Sequence, residues 1–424
     1  MKQRLLADWL AHAETVHPVG IDMGLTRVRE VARRLDVLPP ARRNVVVAGT
    51  NGKGSTCVYL EALLLARGRS VGTTLSPHLS RFNERVRVNG RQAEDSVLCD
   101  AFAAIEDARG TITLTYFEFG VLAALLVFRR ANVDTTVLEV GLGGRLDAVN
   151  IVDGTATVIT SIGIDHVGYL GPDRETIGAE KAGIIRSGVP CVYGESSIPA
   201  SIVDAAGTLQ APLLRYDVDF RVRKTNLEWS FDGLCGSDPV TLDGLALPAV
   251  ALPNAATALQ AFLLLEPTDS IQDAVAASVE SRLPGRFERF TYRGVTTILD
   301  VAHNPHGAAF LCEQLRADRC TGRTMAVAGF LQDKDAAGIV AALDPMVDEW
   351  TFVATHGQRG QSSALSASKA GMANRALISE GDLVGAFDGM LERLTERDRL
   401  VVLGSFDVAQ RARAILLRED VAHD

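Results

Sequence analysis

Several things are scarce in this chain, and each scarcity excludes something. There are six cysteines in 424 residues (57, 99, 191, 235, 312 and 320), with no Cys-x-x-Cys pair and no regular spacing. That rules out a disulfide-stapled secreted scaffold and leaves reduced thiols of a cytoplasmic protein. No apolar run reaches the ~20 residues that a membrane span needs, and residues 121–128 read as a short piece of buried helix. The start, Met1-Lys2-Gln3-Arg4-Leu5-Leu6, resembles a signal peptide only briefly, because Asp8, His12 and Glu14 turn it into an amphipathic helix. Positive charge is also short: the formal net charge is −9. Nucleic acid and anionic membrane are therefore disfavoured as main partners, and an anionic substrate must be met by local basic residues or metal. No internal repeat or low-complexity tract is present, and residues 362–368 read as a mildly Ser/Ala-rich loop. No dimerisation signal stands out either, so a monomer is expected. What remains, 47% apolar and 22% charged residues, is the composition of a soluble enzyme with two or three domains.

Residues 49–56 carry the strongest local signal. They read Gly49-Thr50-Asn51-Gly52-Lys53-Gly54-Ser55-Thr56 and follow the apolar run Val45-Val46-Val47-Ala48. A buried strand that empties into a glycine-rich loop and then a helix holds phosphate, because small residues let backbone N–H groups close around the oxygens. Lys53 adds a point charge, and Ser55 or Thr56 can add a hydroxyl. Gly54 separates Lys53 from Ser55, so the spacing departs from Gly-x4-Gly-Lys-Ser/Thr. The alternative is an ordinary strand-to-helix turn, but strand, loop, lysine and helix all agree on a nucleotide.

Strand and helix signals alternate along the whole chain. Strands are predicted at 45–48, 70–75, 135–140, 156–161 and from 188, with helices at 55–67 and 118–130 between them. Continuous β-branched runs separated by helices indicate a parallel sheet covered on both faces. Residues 220–250 alternate over short segments and read as a small antiparallel insertion, followed by a helix over 255–265. A Pro-Gly break at Arg282-Leu283-Pro284-Gly285-Arg286 restarts the pattern. Strands at 296–300, 324–329, 349–353 and 400–403 then alternate with helices near 306–317, 335–343, 384–395 and 407–417. The fold class is thus α/β, with a P-loop-type, mostly parallel N-terminal sheet over residues 1–284 and a smaller Rossmann-like domain over 285–424. Two such domains joined by a short hinge suit a cleft that closes on ligands.

Three polar residues follow strands of the first sheet: Ser76, Glu139 and His166 (after Asp165). In a parallel sheet they emerge at the same carboxyl edge as the phosphate loop. Singly they read as a helix cap, a buried pair and a loop histidine. Together, beside a triphosphate, they suit a Mg²⁺ site completed by phosphate oxygens and water.

A family resemblance rests on these segments and others in the same order. They are the phosphate loop, Ser76-Pro77-His78-Leu79 with Phe82-Asn83-Glu84-Arg85, Leu138-Glu139-Val140-Gly141-Leu142-Gly143-Gly144-Arg145-Leu146-Asp147, Ser161-Ile162-Gly163-Ile164-Asp165-His166, and Gly178-Ala179-Glu180-Lys181-Ala182-Gly183-Ile184. Further on come Asp300-Val301-Ala302-His303-Asn304-Pro305, Asp333-Lys334-Asp335 and Gly404-Ser405-Phe406. The set resembles the folylpolyglutamate synthase / dihydrofolate synthase family, among the Mur-ligase-like ATP-dependent amide-forming enzymes.

The resemblance implies ATP and two Mg²⁺ ions as cofactors, with a monovalent cation as a further candidate. It implies that a substrate carboxylate attacks the ATP γ-phosphate and that the amine of L-glutamate then attacks the acyl phosphate. It assigns Mg²⁺ to Ser76, Glu139 and His166, and gives Lys181 a carbamate, formed with CO₂, as an anionic ligand for the second ion; from sequence alone Lys181 reads as a surface lysine. Lys53, Lys181 and His303 become the catalytic set. Asn254 is implied at the adenine, Arg286 at the phosphates and Asp300 at the ribose, with His303 and Ser405 near the incoming glutamate. The chain departs from the family before Asn254, where Leu247-Pro248-Ala249-Val250-Ala251-Leu252-Pro253 replaces a usual Gly-x-His-Gln element. Val301 likewise replaces a common glycine, and Arg359-Gly360 stands where Pro-Arg-Ala is frequent.

On the acceptor side, residues 18–27 (with Ile21, Asp22 and Met23) and Thr115-Tyr116-Phe117-Glu118 resemble the pterin elements of bacterial bifunctional members. Phe117 can stack on a planar ring, or equally start a buried helix, and Leu146-Asp147-Ala148 form the facing wall. The implied substrates are 7,8-dihydropteroate, reduced folates and L-glutamate. A cell-wall Mur ligase would need an N-terminal uridine-binding domain, for which 48 residues before the loop leave no room. A non-catalytic ATP-gated module would tolerate loss of Ser76, Glu139, His166 and Lys181, which are all present. A plain P-loop ATPase or kinase leaves the motif at 300–305 unexplained.

Overall fold

The run Asn44-Val45-Val46-Val47-Ala48 is buried throughout and forms the centre of β1 (Arg43–Ala48). A computed structural model describes residues 4–266, 270–373, 377–378 and 383–420, and the chain divides into two compact units, Met1–Arg282 and Leu283–Asp424. In the first unit β1 is joined by β2 (Val71–Thr74), β3 (Val86–Val88), β4 (Arg91–Gln92), β5 (Thr135–Glu139), β6 (Ala156–Ile159), β7 (Cys191–Tyr193) and β8 (Leu213–Arg215). Their order is β4-β3-β2-β5-β1-β6-β7-β8. Every pairing from β2 to β8 is parallel, while β3 and β4 add an antiparallel edge. The sequence pattern did not show those two edge strands, since three and two residues are too few for alternation to register.

Parallel neighbours require crossovers, and helices supply them. Lys53–Ala66 follows β1 and packs with Leu252–Leu263 and Ile271–Ser278. The helix Tyr116–Ala131 precedes β5 and starts with a reciprocal cap: Glu118 N donates to Thr115 Oγ1 at 3.2 Å and Thr115 N to Glu118 Oε2 at 2.7 Å. Trp9, Phe102 and Phe119 stack in succession, with centroids 6.3 and 5.8 Å apart, inside a core that also buries Phe82 and Phe128.

Residues 220–250 hold an antiparallel sheet of β9 (Arg221–Lys224), β10 (Glu228–Cys235) and β11 (Asp238–Ala246), as expected. The helix after it begins at Leu252 rather than 255. Pro253 sits in its first turn, where no N–H is needed, so Asn254 lies inside that turn and is not its cap.

The second unit contains β12 (Glu288–Tyr292), β13 (Val295–Leu299), β14 (Thr324–Ala328), β15 (Glu349–Phe352), β16 (Leu377–Ile378) and β17 (Arg399–Leu403), ordered β12-β13-β17-β14-β15-β16. All pairings are parallel except the β12–β13 hairpin. One expectation fails here. The stretch taken as a Ser/Ala-rich loop is the helix Ser363–Lys369, because Ser362 Oγ accepts from Leu365 N at 3.2 Å and caps it, and Ser366 and Ala367 are buried.

Candidate active site

Between β1 and the helix at Lys53 the backbone turns in a way that only glycine allows. Gly49 has φ +147°, and a Cβ on it would lie 1.9 Å from Thr160 Oγ1. Gly52 has φ +84°, and its Cβ would lie 2.3 Å from Asn254 Oδ1. The loop is tied to the residues after β6. Thr50 N donates to Ser161 O (2.8 Å), Asn51 N to Ser161 Oγ (3.1 Å), and Thr160 Oγ1 to Asn51 O (2.6 Å). Thr50 Oγ1 accepts from Gly163 N at 2.9 Å. Lys53 Nζ folds back onto Gly49 O at 3.0 Å and Thr50 O at 3.3 Å. Gly54, Ser55 and Thr56 are buried in the first helical turn, and Thr56 Oγ1 has no partner among the described residues.

β2 and β5 are adjacent, with Thr74 beside Leu138. Their next residues therefore meet: Ser76 N donates to Glu139 Oε2 at 2.7 Å. Ser76 Oγ is buried without a partner among the described residues, an orphan of the kind a cation resolves. No three His, Cys, Asp or Glu side chains cluster among the described residues. The donors Ser76 and Glu139 fit a hard divalent ion that also takes oxygens from a phosphate ligand and water. His166 stands at φ +52°, with its N–H on Asp165 Oδ1 at 2.8 Å.

Lys181 is not a surface lysine. It is 4% exposed in the last turn of Arg174–Ala182, with Nζ donating to Gly49 O at 3.0 Å. Burial first, and then the Lys53 cation, pull its pKa down to about 7, against Asp165 and Asp147.

On the acceptor side the ring of Phe117 lies against Gly141, where a Cβ would approach Phe117 Cζ to 2.5 Å. Asp147 is buried and accepts from Leu142 N at 2.8 Å and Val149 N at 2.9 Å. Burial raises its pKa to about 6 in spite of those bonds and of Lys53. Leu146 is half-buried and Ala148 buried. Met23 reaches the same turn, its Cε 3.8 Å from a Cβ placed on Gly143, while Ile21 is exposed. Asp22 and Glu118 are joined by Arg27, whose Nη1 donates to Asp22 Oδ2 at 2.6 Å and Nη2 to Glu118 Oε1 at 3.3 Å. Thr115 and Glu118 are thus committed to the helix cap and that bridge. The roles of Arg27, in the first turn of the helix Thr26–Leu35, and of Arg85, at the end of the turn Phe82–Arg85, are not legible in the sequence beyond a cation within each motif.

In the second unit, β13 and β17 pair in parallel, so the segments after them share an edge. Asp300 is buried and accepts from Phe287 N and Ala302 N, both at 2.8 Å; burial raises its pKa, against the Arg286 cation. The Arg286 guanidinium lies 5.1 Å from the Phe406 ring centroid, and the His303 ring lies 6.0 Å from it. His303 Nδ1 bonds Val301 O at 2.9 Å; a carbonyl only accepts, so Nδ1 carries a proton. Ser405 is buried, with Oγ accepting from Val408 N at 3.2 Å. Asp333 pairs with Arg359 at 3.3 Å.

Known proteins match this arrangement. Residues 47–191 match the Mur ligase middle domain, and residues 285–406 the Mur ligase glutamate ligase domain. The dihydrofolate synthase/folylpolyglutamate synthase of Escherichia coli is 44% identical over 414 residues, covering 97% of this chain and 95% of that protein. That of Haemophilus influenzae is 40% identical, covering 97% of each. The solved structure of E. coli FolC with DHPP and ADP superposes with a TM-score of 0.92 at 43% identity over 98% of both chains. The bifunctional enzyme of Yersinia pestis with AMPPNP and a Mn ion gives 0.90 at 44% identity, over 97% of this chain and 98% of that one. The chain belongs to the dihydrofolate synthase/folylpolyglutamate synthase family of ATP-dependent ligases.

Proposed function

We propose that this chain joins L-glutamate both to 7,8-dihydropteroate and to the γ-carboxylate of reduced folates. The observation that carries the reading is the convergence of Lys53 and Lys181 on the Gly49 carbonyl, at the sheet edge that also holds the Ser76–Glu139 pair.

A carboxylate is a poor electrophile and needs activation before an amine can attack it. Its oxygen attacks the γ-phosphorus of ATP and ADP leaves. The glutamate amine then attacks the acyl carbon, the C–O bond breaks and phosphate departs. Residues 49–56 hold the phosphates through those backbone N–H groups not already donated to Ser161 and Gly52, with Lys53 offsetting their charge. Ser76, Glu139, His166 and Lys181 would hold Mg²⁺ (two ions, with a monovalent cation as a further candidate), which supplies charge stabilisation to the transferring phosphoryl group. With its pKa drawn down to about 7, Lys181 is a free amine in a substantial fraction of molecules at neutrality. That amine attacks CO₂: a C–N bond forms as one C=O π bond opens, the nitrogen gives up a proton to solvent, and the resulting carbamate would be an oxygen donor. Phe117 and Leu146-Asp147-Ala148 face the pterin–benzoate rings, with residues 21–23 and 115–118 completing that wall. Asn254, Arg286 and Asp300 serve the adenine, phosphates and ribose; His303 and Ser405 serve the glutamate. A cytoplasmic monomer that engages neither nucleic acid nor membrane completes the reading. The net charge of −9 disfavours nucleic acid and anionic membrane as partners, and among the described residues no helix is long and apolar enough to cross a membrane.

Glutamate-dependent ADP release tests this, run separately with 7,8-dihydropteroate and tetrahydrofolate and with products weighed by mass spectrometry. Turnover of both is expected. Turnover of one alone reassigns the pterin-side residues to that substrate, and ATP binding without any turnover overturns the reading.

A further inference from the structure

We propose that Arg85 receives the carboxylate of the acceptor substrate, an inference that rests on the ligase reading above. The short turn Phe82–Arg85 sets the guanidinium over two rings, 5.8 Å from the centroid of Phe82 and 5.6 Å from that of Tyr116. Its Nε donates to His78 Nδ1 at 2.8 Å. A guanidinium only donates, so this bond holds the His78 proton on Nε2 and fixes the fork's direction. Nη1 and Nη2 have no hydrogen-bond partner among the described residues, and Arg85 makes no ion pair there. Its neighbour Glu84 acts on it through space but forms no ion pair with it, because that carboxylate is hydrogen-bonded to the N–H groups of Leu79, Ser80 and Arg81 at 2.7, 2.8 and 2.9 Å.

A half-buried cation, stacked, oriented and left without an anion, is costly unless an anion arrives. Burial lowers the Arg85 pKa, and Tyr116, Glu139 and Glu84 oppose that shift, so Glu139 lies within electrostatic reach. An open fork of two N–H pairs matches one carboxylate bidentately. The position matches too. Arg85 packs on Tyr116, next to Phe117, whose ring covers Gly141. Its own carbonyl accepts from Leu75 N at 3.1 Å, one residue before the Ser76 that binds Glu139. Arg85 therefore stands between the aromatic wall and the Ser76–Glu139 pair. An acceptor whose rings lie on that wall passes its carboxylate across Arg85 on the way to the phosphate. The anion has two sources, the aryl carboxylate of dihydropteroate and the glutamyl carboxylates of a reduced folate.

The test compares wild type, Arg85→Gln and Arg85→Lys, each checked by thermal melt. One arm measures KM for each acceptor, ATP and glutamate. The other measures binding of 7,8-dihydropteroate against an analogue lacking its carboxylate. Arg85→Gln is expected to raise acceptor KM about tenfold with KM for ATP unchanged. It is also expected to erase the preference for the acid over the analogue, which Arg85→Lys partly restores. A rise for both acceptors supports the reacting carboxylate as ligand; a rise for tetrahydrofolate alone supports a glutamyl carboxylate. An acid preference of undiminished size in Arg85→Gln overturns the proposal, as does a KM change confined to ATP. Wild type without glutamate-dependent ADP release would instead count against the ligase reading, and the binding arm would still decide on Arg85.

Discussion

Lys53 and Lys181 donate to the same acceptor, each Nζ standing 3.0 Å from the Gly49 carbonyl oxygen. Two ammonium groups on one carbonyl repel, and the Lys53 cation is among the causes that draw the Lys181 pKa down to about 7. The glycine-rich loop and the buried lysine are thereby coupled through one carbonyl.

Replacing Lys181 by Met is expected to separate stability from activity. Unfolded, this lysine titrates near 10.4, so between about pH 7 and 10 the unfolded chain binds more protons and stability rises with pH. The penalty for burying the charge is largest below pH 7. In Lys181→Met that slope disappears, and the melting temperature at pH 6 equals or exceeds wild type, since Lys53 still satisfies the Gly49 carbonyl. ADP release falls by at least a hundredfold. Melting curves at pH 6 and 9, set beside the rate assay, check both halves.

The rate of glutamate-dependent ADP release should climb from pH 6 to pH 8. Asp147 ionises above about 6, restoring a negative charge near Lys53, and Lys181 turns into a free amine above about 7. Carbon-13 NMR with labelled bicarbonate should show a carbamate signal that grows over the same range. A flat pH profile with no such signal would remove the carbamylation reading.

Ser76→Ala removes a buried hydroxyl that has no hydrogen-bond partner among the described residues. Its loss is expected to leave the melting temperature within about a degree of wild type or raise it, because an unsatisfied polar group is deleted. The Mg²⁺ concentration for half-maximal rate should rise about tenfold or more. Loss of stability with unchanged Mg²⁺ dependence would show that the hydroxyl is structural.

Gly52→Ala places a methyl group 2.3 Å from Asn254 Oδ1, at φ +84°. The conformation alone costs about 1–2 kcal/mol, and the clash adds to it. Nucleotide affinity, read by calorimetry with ADP, should fall about tenfold or more. In Gly52→Ala/Asn254→Ala the steric part is relieved and the backbone part persists, so the double variant should bind ADP better than Gly52→Ala alone.

The α/β class, the buried strand at 45–48 and the glycine-rich loop were legible because each is a local pattern: a β-branched run, small residues at a turn, a helix signal after it. The antiparallel sheet between residues 220 and 250 was legible for the same reason. Elements whose cause is a single contact were not. The helix Ser363–Lys369 depends on one Ser362 cap, and the start at Leu252 depends on Pro253 in the first turn. At the site, sequence could order Ser76, Glu139 and Lys181 along the chain and, through the strand pattern, onto one edge. It could not show that Lys181 is buried or that Ser76 Oγ is orphaned.

What the sequence determined by itself was the set of elements and the chemistry within reach of each, because strand and helix periods and glycine turns act over a few residues. The tertiary structure alone decided the meetings between distant residues: Lys181 with Gly49, Arg27 with Glu118, Arg85 with His78 and Tyr116. Burial and electrostatics depend on what packs across the sheet edge, so a buried lysine and a guanidinium stacked on two rings exist only once the strands lie side by side.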